Sequence, residues 1–236
     1  MRKQERNTLY CFSPPVMIAT CIIEVSLMLY TFVRYKFNPL TRLVGAMLVC
    51  LAIFQLAEFM VCRNVGGNGL VWSRVGFMAI TLLPPLGIHV LYTIAGAKKR
   101  PLLWLGYASA AAFLAFFAVA GHSITGHSCL GNYVIFELAP GSGWLYGLYY
   151  YAFLVAALLL GWYYLRHAGK RPKRAISGVM LGYAIFLLPS TTAHMLSPET
   201  LNAIPSVMCG FAVLLAFAMC FITLPAALKT KTRRAR

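Results

Sequence analysis

Seven apolar segments of about 20 residues each occupy almost the whole of this 236-residue chain, and about 20 apolar residues suffice for a helix to cross a bilayer. The segments are 14–34, 41–62, 70–96, 101–121, 143–165, 175–196 and 203–228. Backbone polar groups inside lipid must be satisfied within the chain, so each segment is predicted to be a helix. The sequence therefore predicts an all-α, polytopic membrane bundle of seven transmembrane helices in a single domain, followed by a basic tail at 229–236.

The composition agrees with this prediction and narrows the range of functions. Hydrophobic residues make up 60% of the chain and charged residues only 11%, with a mean hydropathy of +0.73. These values lie far from those of soluble proteins. Little of the chain is left for a soluble catalytic domain or a nucleic-acid-binding domain.

The basic residues indicate how the chain is oriented. Of the 21 Lys and Arg residues, 16 follow the first, third, fifth and seventh spans. Because such residues concentrate on the cytoplasmic side, the amino terminus is predicted to lie outside and the carboxyl terminus in the cytoplasm. The expected partner of these basic residues is the anionic lipid headgroups of the cytoplasmic face rather than nucleic acid. They are Arg34, Lys36, Arg42, Lys98, Lys99, Arg100, Arg166, Lys170, Arg171, Lys173, Arg174, Lys229, Lys231, Arg233, Arg234 and Arg236.

Three of the seven cysteines fall near the predicted outer surface: Cys11, Cys62 and Cys129. An oxidising compartment would permit a disulfide there. Three cysteines allow three pairings, and we favour Cys62 with Cys129, which would join the outer end of the second span to the long loop after the fourth.

Two ionisable residues lie well inside predicted spans, where charge is costly and usually functional. Glu24 is near the middle of the first span, and His89 follows Pro84 and Pro85 in the third. For Glu24, a protonated or hydrogen-bonded residue between helices is weighed against a proton relay or a ligand contact. For His89, a hydrogen-bonded packing residue is weighed against a haem ligand or proton carrier.

A polar stripe on the second span is the main candidate site. Gln55, Glu58 and Cys62 follow one another at helical spacing and share one face. His194, near the end of the sixth span, is predicted to lie at a similar depth. These side chains suit an interhelical hydrogen-bond cluster or an organic ligand site.

A metal site is the remaining interpretation of these residues. Glu58 and His194, with His122 and His127 from the long outer loop, would suit zinc or another transition-metal ion. No HExxH or CxxC motif supports it. The cofactor therefore stays unknown.

Several short motifs resemble those of an uncharacterised bacterial family of small seven-helix integral membrane proteins. They are Cys11-Phe12-Ser13, Gln55-Leu56-Ala57-Glu58, Trp72, Leu83-Pro84-Pro85 with His89, and Ser206-Val207-Met208-Cys209. The resemblance implies a multi-pass protein of the bacterial inner membrane and draws attention to Gln55 and Glu58. It implies no activity.

The helix layout is also similar to the seven-helix sensor modules of bacterial histidine kinases. Such modules feed a cytoplasmic signalling domain. Since the chain ends in its basic tail, signalling is expected to need a separate partner. The first hypothesis is therefore a non-enzymatic protein that senses or binds a small or lipidic ligand in the outer half of the bundle, contacted by Gln55, Glu58 and His194. The alternatives are a metal- or cofactor-dependent membrane enzyme and a transporter in which Glu24 and Glu58 couple protons.

Overall fold

The computed structural model describes residues 14–64, 67–98, 100–129, 134–196 and 204–232. A few side chains within these ranges, including that of His194, are not described. Within this part of the chain, seven helical segments are long and apolar enough to cross a membrane, which confirms the seven-helix prediction. The third segment spans Gly69–Ala95 and the seventh spans Ile204–Leu228, and each contains more than one helix. The helices are α1 (Pro14–Arg34), α2 (Pro39–Arg63), α3 (Gly69–Thr81), α4 (Leu83–Ala95), α5 (Pro101–Val119), α6 (Ser142–His167), α7 (Lys170–Leu196), α8 (Ile204–Ala218) and α9 (Leu224–Thr232).

Helix α2 shows how local sequence sets a helix boundary. The Asn38 side chain accepts hydrogen bonds from the amides of Leu40 and Thr41, and the Thr41 hydroxyl accepts one from the Asn38 amide. This reciprocal capping box satisfies amides that have no partner inside the helix. Pro39 occupies the first helical position, where its missing N–H costs nothing. The helix therefore begins two residues before the predicted span.

The third span is interrupted at Leu82, between α3 and α4. Pro84 and Pro85 have no N–H, so the carbonyls of Ile80 and Thr81 lose their usual donors four residues later. The Leu82 amide donates to the Ala79 carbonyl at 3.3 Å, and the Tyr149 hydroxyl of α6 donates to the Thr81 carbonyl at 2.7 Å. Helix α6 thus supplies the hydrogen bond that the proline removes.

Replacing Tyr149 with Phe should weaken the bundle at this break. The Thr81 carbonyl would stay buried without its donor, and we expect a loss of about 1–2 kcal/mol in the free energy of unfolding. Thermal unfolding in mild detergent would measure it. Tyr163→Phe, on an exposed position of the same helix, is the matched control and should leave the melting temperature unchanged. Equal melting temperatures for the two variants would contradict the assigned role.

The long loop after α5 contains two strands, so the all-α prediction was wrong at this point. Strands β1 (Ile124–Cys129) and β2 (Val134–Leu138) pair antiparallel. Phe136 is buried with its ring centroid 5.3 Å from that of Phe77 and 6.1 Å from that of Phe54. The hairpin therefore packs on the end of the bundle where α2 stops and α3 starts. Alternating burial of Val134 and Phe136 is typical of a strand with one face on a core.

The seventh span contains a π-helical turn, Met219–Thr223, between α8 and α9. The Leu224 amide donates to the Met219 carbonyl five residues earlier, immediately before Pro225. Helix α7 approaches this turn closely at Gly178, where an added Cβ would lie 3.1 Å from the backbone nitrogen of Thr223. A side chain at this position would therefore push α7 away from the turn.

Candidate functional site

Three polar side chains of α1 and α2 are enclosed by the bundle. Glu24, Gln55 and Glu58 are 0%, 2% and 1% exposed. Among the described residues, no hydrogen-bond partner is found for either carboxyl oxygen of Glu24, for the amide nitrogen of Gln55 or for one oxygen of Glu58. Buried polar groups of folded proteins are nearly always paired, so these atoms mark an unusual place in the bundle.

The two acidic residues belong to one polar group. Glu24 and Glu58 lie close enough to interact electrostatically, and the Cys209 thiol of α8 interacts with both. Glu58 also interacts with the Ser206 hydroxyl, one turn before Cys209. This interior polar cluster, defined by Glu24, Gln55, Glu58, Ser206 and Cys209, joins α1, α2 and α8.

The cluster is connected to the hairpin. Ser206 accepts a hydrogen bond of 3.2 Å from the amide of Val134, whose cross-strand partner is Cys129. Cys129 is disulfide-bonded to Cys62, with 5.6 Å between their Cα atoms. Cys62 lies one turn beyond Glu58 on α2. A closed ring therefore holds the hairpin on the bundle. It consists of the disulfide, the strand pairing, the hydrogen bond from Val134 to Ser206, the interaction of Ser206 with Glu58, and one helical turn.

The described residues of the predicted metal site do not lie together. His122 is exposed in the turn before β1, whereas the His127 ring packs against Gly69 at the start of α3. Glu58 is buried in the interior cluster, and the side chain of His194 lies outside the described ones. Among the side chains that are described, no three His, Cys, Asp or Glu residues come together in a way that could hold a metal ion.

His89 forms a separate hydrogen-bonded group. Its Nδ1 lies 3.1 Å from the Tyr107 hydroxyl, and its Nε2 lies 3.4 Å from a guanidinium nitrogen of Arg100. Both ring nitrogens therefore have partners within the chain. This arrangement favours the interpretation of His89 as a hydrogen-bonded packing residue.

A cavity of about 740 Å³ opens beside the hairpin. Its walls come from β2, the turn that follows it, the first turns of α6, the start of α8, and Phe77 and Ile80 of α3. This volume falls within the range of about 300–1,000 Å³ that is typical of small-molecule sites. Aromatic side chains dominate the lining: Phe77, Phe136, Trp144, Tyr146, Tyr150 and Tyr151.

The cavity and the interior polar cluster meet at Cys209. This residue lines the cavity and also interacts with Glu58 and Glu24. Neither Gln55 nor Glu58 lines the cavity itself. Trp144 and the tyrosines of α6 were not among the residues singled out from the sequence, and the cavity was therefore missed. The Gly131-Asn132 pair before the alternating Val134 and Phe136 was a usable hairpin signal.

The fold and its cavity define a multi-pass membrane protein, a seven-helix bundle with a β-hairpin packed on one end. Residues 16–222 match the family described as the N-terminal 7TM region of histidine kinase. The chain belongs to this family, and the resemblance to seven-helix sensor modules is confirmed. No curated protein matches the chain.

Proposed function

We propose that this protein is a membrane sensing module that binds a small or lipidic ligand in the cavity beside the hairpin. Membership of the histidine kinase 7TM family supports a sensing role. The aromatic cavity of about 740 Å³ is the observation on which the proposal depends. Ligand sites are largely apolar cavities with a few polar groups, and here the polar groups are those of the interior polar cluster behind Cys209.

The position of the cavity suits a receptor for external or membrane-dissolved molecules. We place the hairpin end outside the cell, because Lys98, Arg100, Lys173 and Arg174 follow spans that end on the opposite side. The expected location is the bacterial inner membrane, with the basic side facing anionic lipid headgroups. A signalling partner or a linked kinase domain on that side would receive the signal.

Helix α8 connects the cavity wall to the opposite end of the bundle, where a signalling partner would bind. It carries Met208 and Cys209 on the cavity wall and continues through the π-helical turn into α9. A ligand that contacts α8 differently in two states of the bundle would shift their populations. Helix α9 lies at the opposite end of the span, where a partner would detect the shift.

Filling the cavity should abolish ligand binding. Gly147 lines the cavity, and a Cβ at this position would meet no atom within 4 Å. The indole of Gly147→Trp should therefore enter the cavity without straining the helix. Native mass spectrometry of protein purified in mild detergent should show a bound small molecule or lipid in the wild type. We expect the occupancy of this molecule to fall about tenfold or more in the variant, because the indole would take up the volume and cover the apolar surface that the ligand needs.

Ala152→Trp is the matched control for this experiment. Ala152 lies on the same helix, is exposed and does not line the cavity. It should retain the bound molecule at the occupancy of the wild type. Equal occupancy in all three proteins, or no bound molecule in any of them, would contradict the proposed function.

A further inference from the structure

We propose that the cavity selects ligands that carry an ammonium group on an apolar body. This inference rests on the proposed function, because it names the ligand class of the same site. It depends on the charges around the cavity, on its aromatic walls, and on the unpaired polar atoms behind it.

The cavity lining contains no basic side chain among the described residues. Its one ionisable carboxyl group belongs to Glu137 of β2. Arg63 and Arg74 lie at the same end of the bundle, but neither lines the cavity, and Arg74 donates to the Gly121 carbonyl. An anionic ligand would therefore find no cationic partner there, in a chain whose formal net charge is +16.

The aromatic walls suit a cation. A cation that lies over the face of a Trp, Tyr or Phe ring is attracted by the quadrupole of the ring. The attraction is strongest where water is excluded, as in a cavity within a helix bundle. Trp144 and the tyrosines at 146, 150 and 151 provide such faces around one volume. These rings also offer apolar surface to the body of the ligand.

The interior polar cluster contains two carboxyl groups, those of Glu24 and Glu58, that a nearby cation could ionise. Glu24 and Glu58 have no cationic partner among the described residues, and three of their four carboxyl oxygens make no hydrogen bond. An unpaired buried carboxylate is strongly unfavourable. An ammonium group beside Cys209 would stabilise the ionised form of one carboxyl group, because Cys209 lines the cavity and interacts electrostatically with both acids. Electrostatic attraction over this path is weakly screened, because the path lies inside the protein.

Two probes of equal shape would test the inference. Benzyltrimethylammonium carries the charge, and neopentylbenzene is its uncharged carbon isostere. Their affinities for the full chain in lipid nanodiscs would be measured by saturation-transfer difference NMR, with empty nanodiscs as background. We expect the wild type to bind the ammonium probe about tenfold or more tightly, a difference typical of a favourable charge contact.

The double variant Glu24→Gln/Glu58→Gln keeps the size and polarity of both side chains and removes their ability to ionise. It should bind the uncharged probe as the wild type does and lose most of its preference for the ammonium probe. Equal affinities of the wild type for both probes would overturn the inference, whether or not the double variant folds. A preference fully retained in the folded double variant would overturn the role of the interior polar cluster and leave the selection to Glu137 and the aromatic walls.

The same experiment separates this inference from the proposed function. If both probes bind equally and Gly147→Trp removes both, the cavity is a ligand site and only the charge selection is wrong. If neither probe binds the wild type above background, both proposals are wrong.

Discussion

Replacing Cys129 with Ser should lower the free energy of unfolding by about 2–4 kcal/mol, because the disulfide closes a long loop. The bond joins residues separated by 67 positions. It also closes the ring that includes Val134, Ser206 and Glu58. Loss of the bond should release the hairpin from α2 and expose the cavity. Thermal unfolding in mild detergent, with and without a reducing agent, would measure the effect.

The control is the pair of variants Cys62→Ser and Cys62→Ser/Cys129→Ser. All three variants should melt at the same lowered temperature, because each removes the same bond. Reduction should lower the melting temperature of the wild type alone. The described cysteines outside this bond, Cys21, Cys50, Cys209 and Cys220, are buried and free. An unchanged melting temperature in the wild type, after thiol labelling has shown complete reduction, would contradict the prediction.

Gly178→Leu should be strongly destabilising because there is no room for a side chain between α7 and the π-helical turn. A Cβ at Gly178 would lie 2.6 Å from the Thr223 hydroxyl oxygen and 3.1 Å from its backbone nitrogen. The backbone of the turn has to move to accept it. We expect a loss of about 3 kcal/mol in the free energy of unfolding, at the upper end of the usual cost of overpacking.

Gly147→Leu is the matched control for this second substitution. The same side chain is introduced into the middle of a helix, but nothing lies within 4 Å of the new Cβ. Its melting temperature should equal or exceed that of the wild type, since leucine has the higher helix propensity. If both leucine variants melt at the wild-type temperature, α7 and the turn do not pack as closely as described.

The candidate site was only partly predictable from the sequence. Gln55 and Glu58 could be singled out because polar residues inside an apolar helix are rare and costly. Their spacing placed them on one face of α2 with Cys62. The contact of Glu58 with Ser206 was not predictable, because 148 positions separate the two residues. The aromatic cavity was missed for a similar reason, since its walls come from three separate parts of the chain.

By itself, the sequence determined the class of protein and the number of spans. The hydropathy of each segment decides these properties locally. A segment of about 20 apolar residues is long enough to cross a bilayer, and inside lipid its backbone polar groups must bond to one another, which makes it a helix. The break in the third span was also encoded locally, by Pro84 and Pro85. Only the tertiary structure decided that Tyr149 satisfies the Thr81 carbonyl, that the hairpin is held by Cys62 and Ser206, and that Cys209 both lines a cavity and interacts with two buried acids. These are contacts between distant segments, and they depend on how the helices pack rather than on what each helix contains.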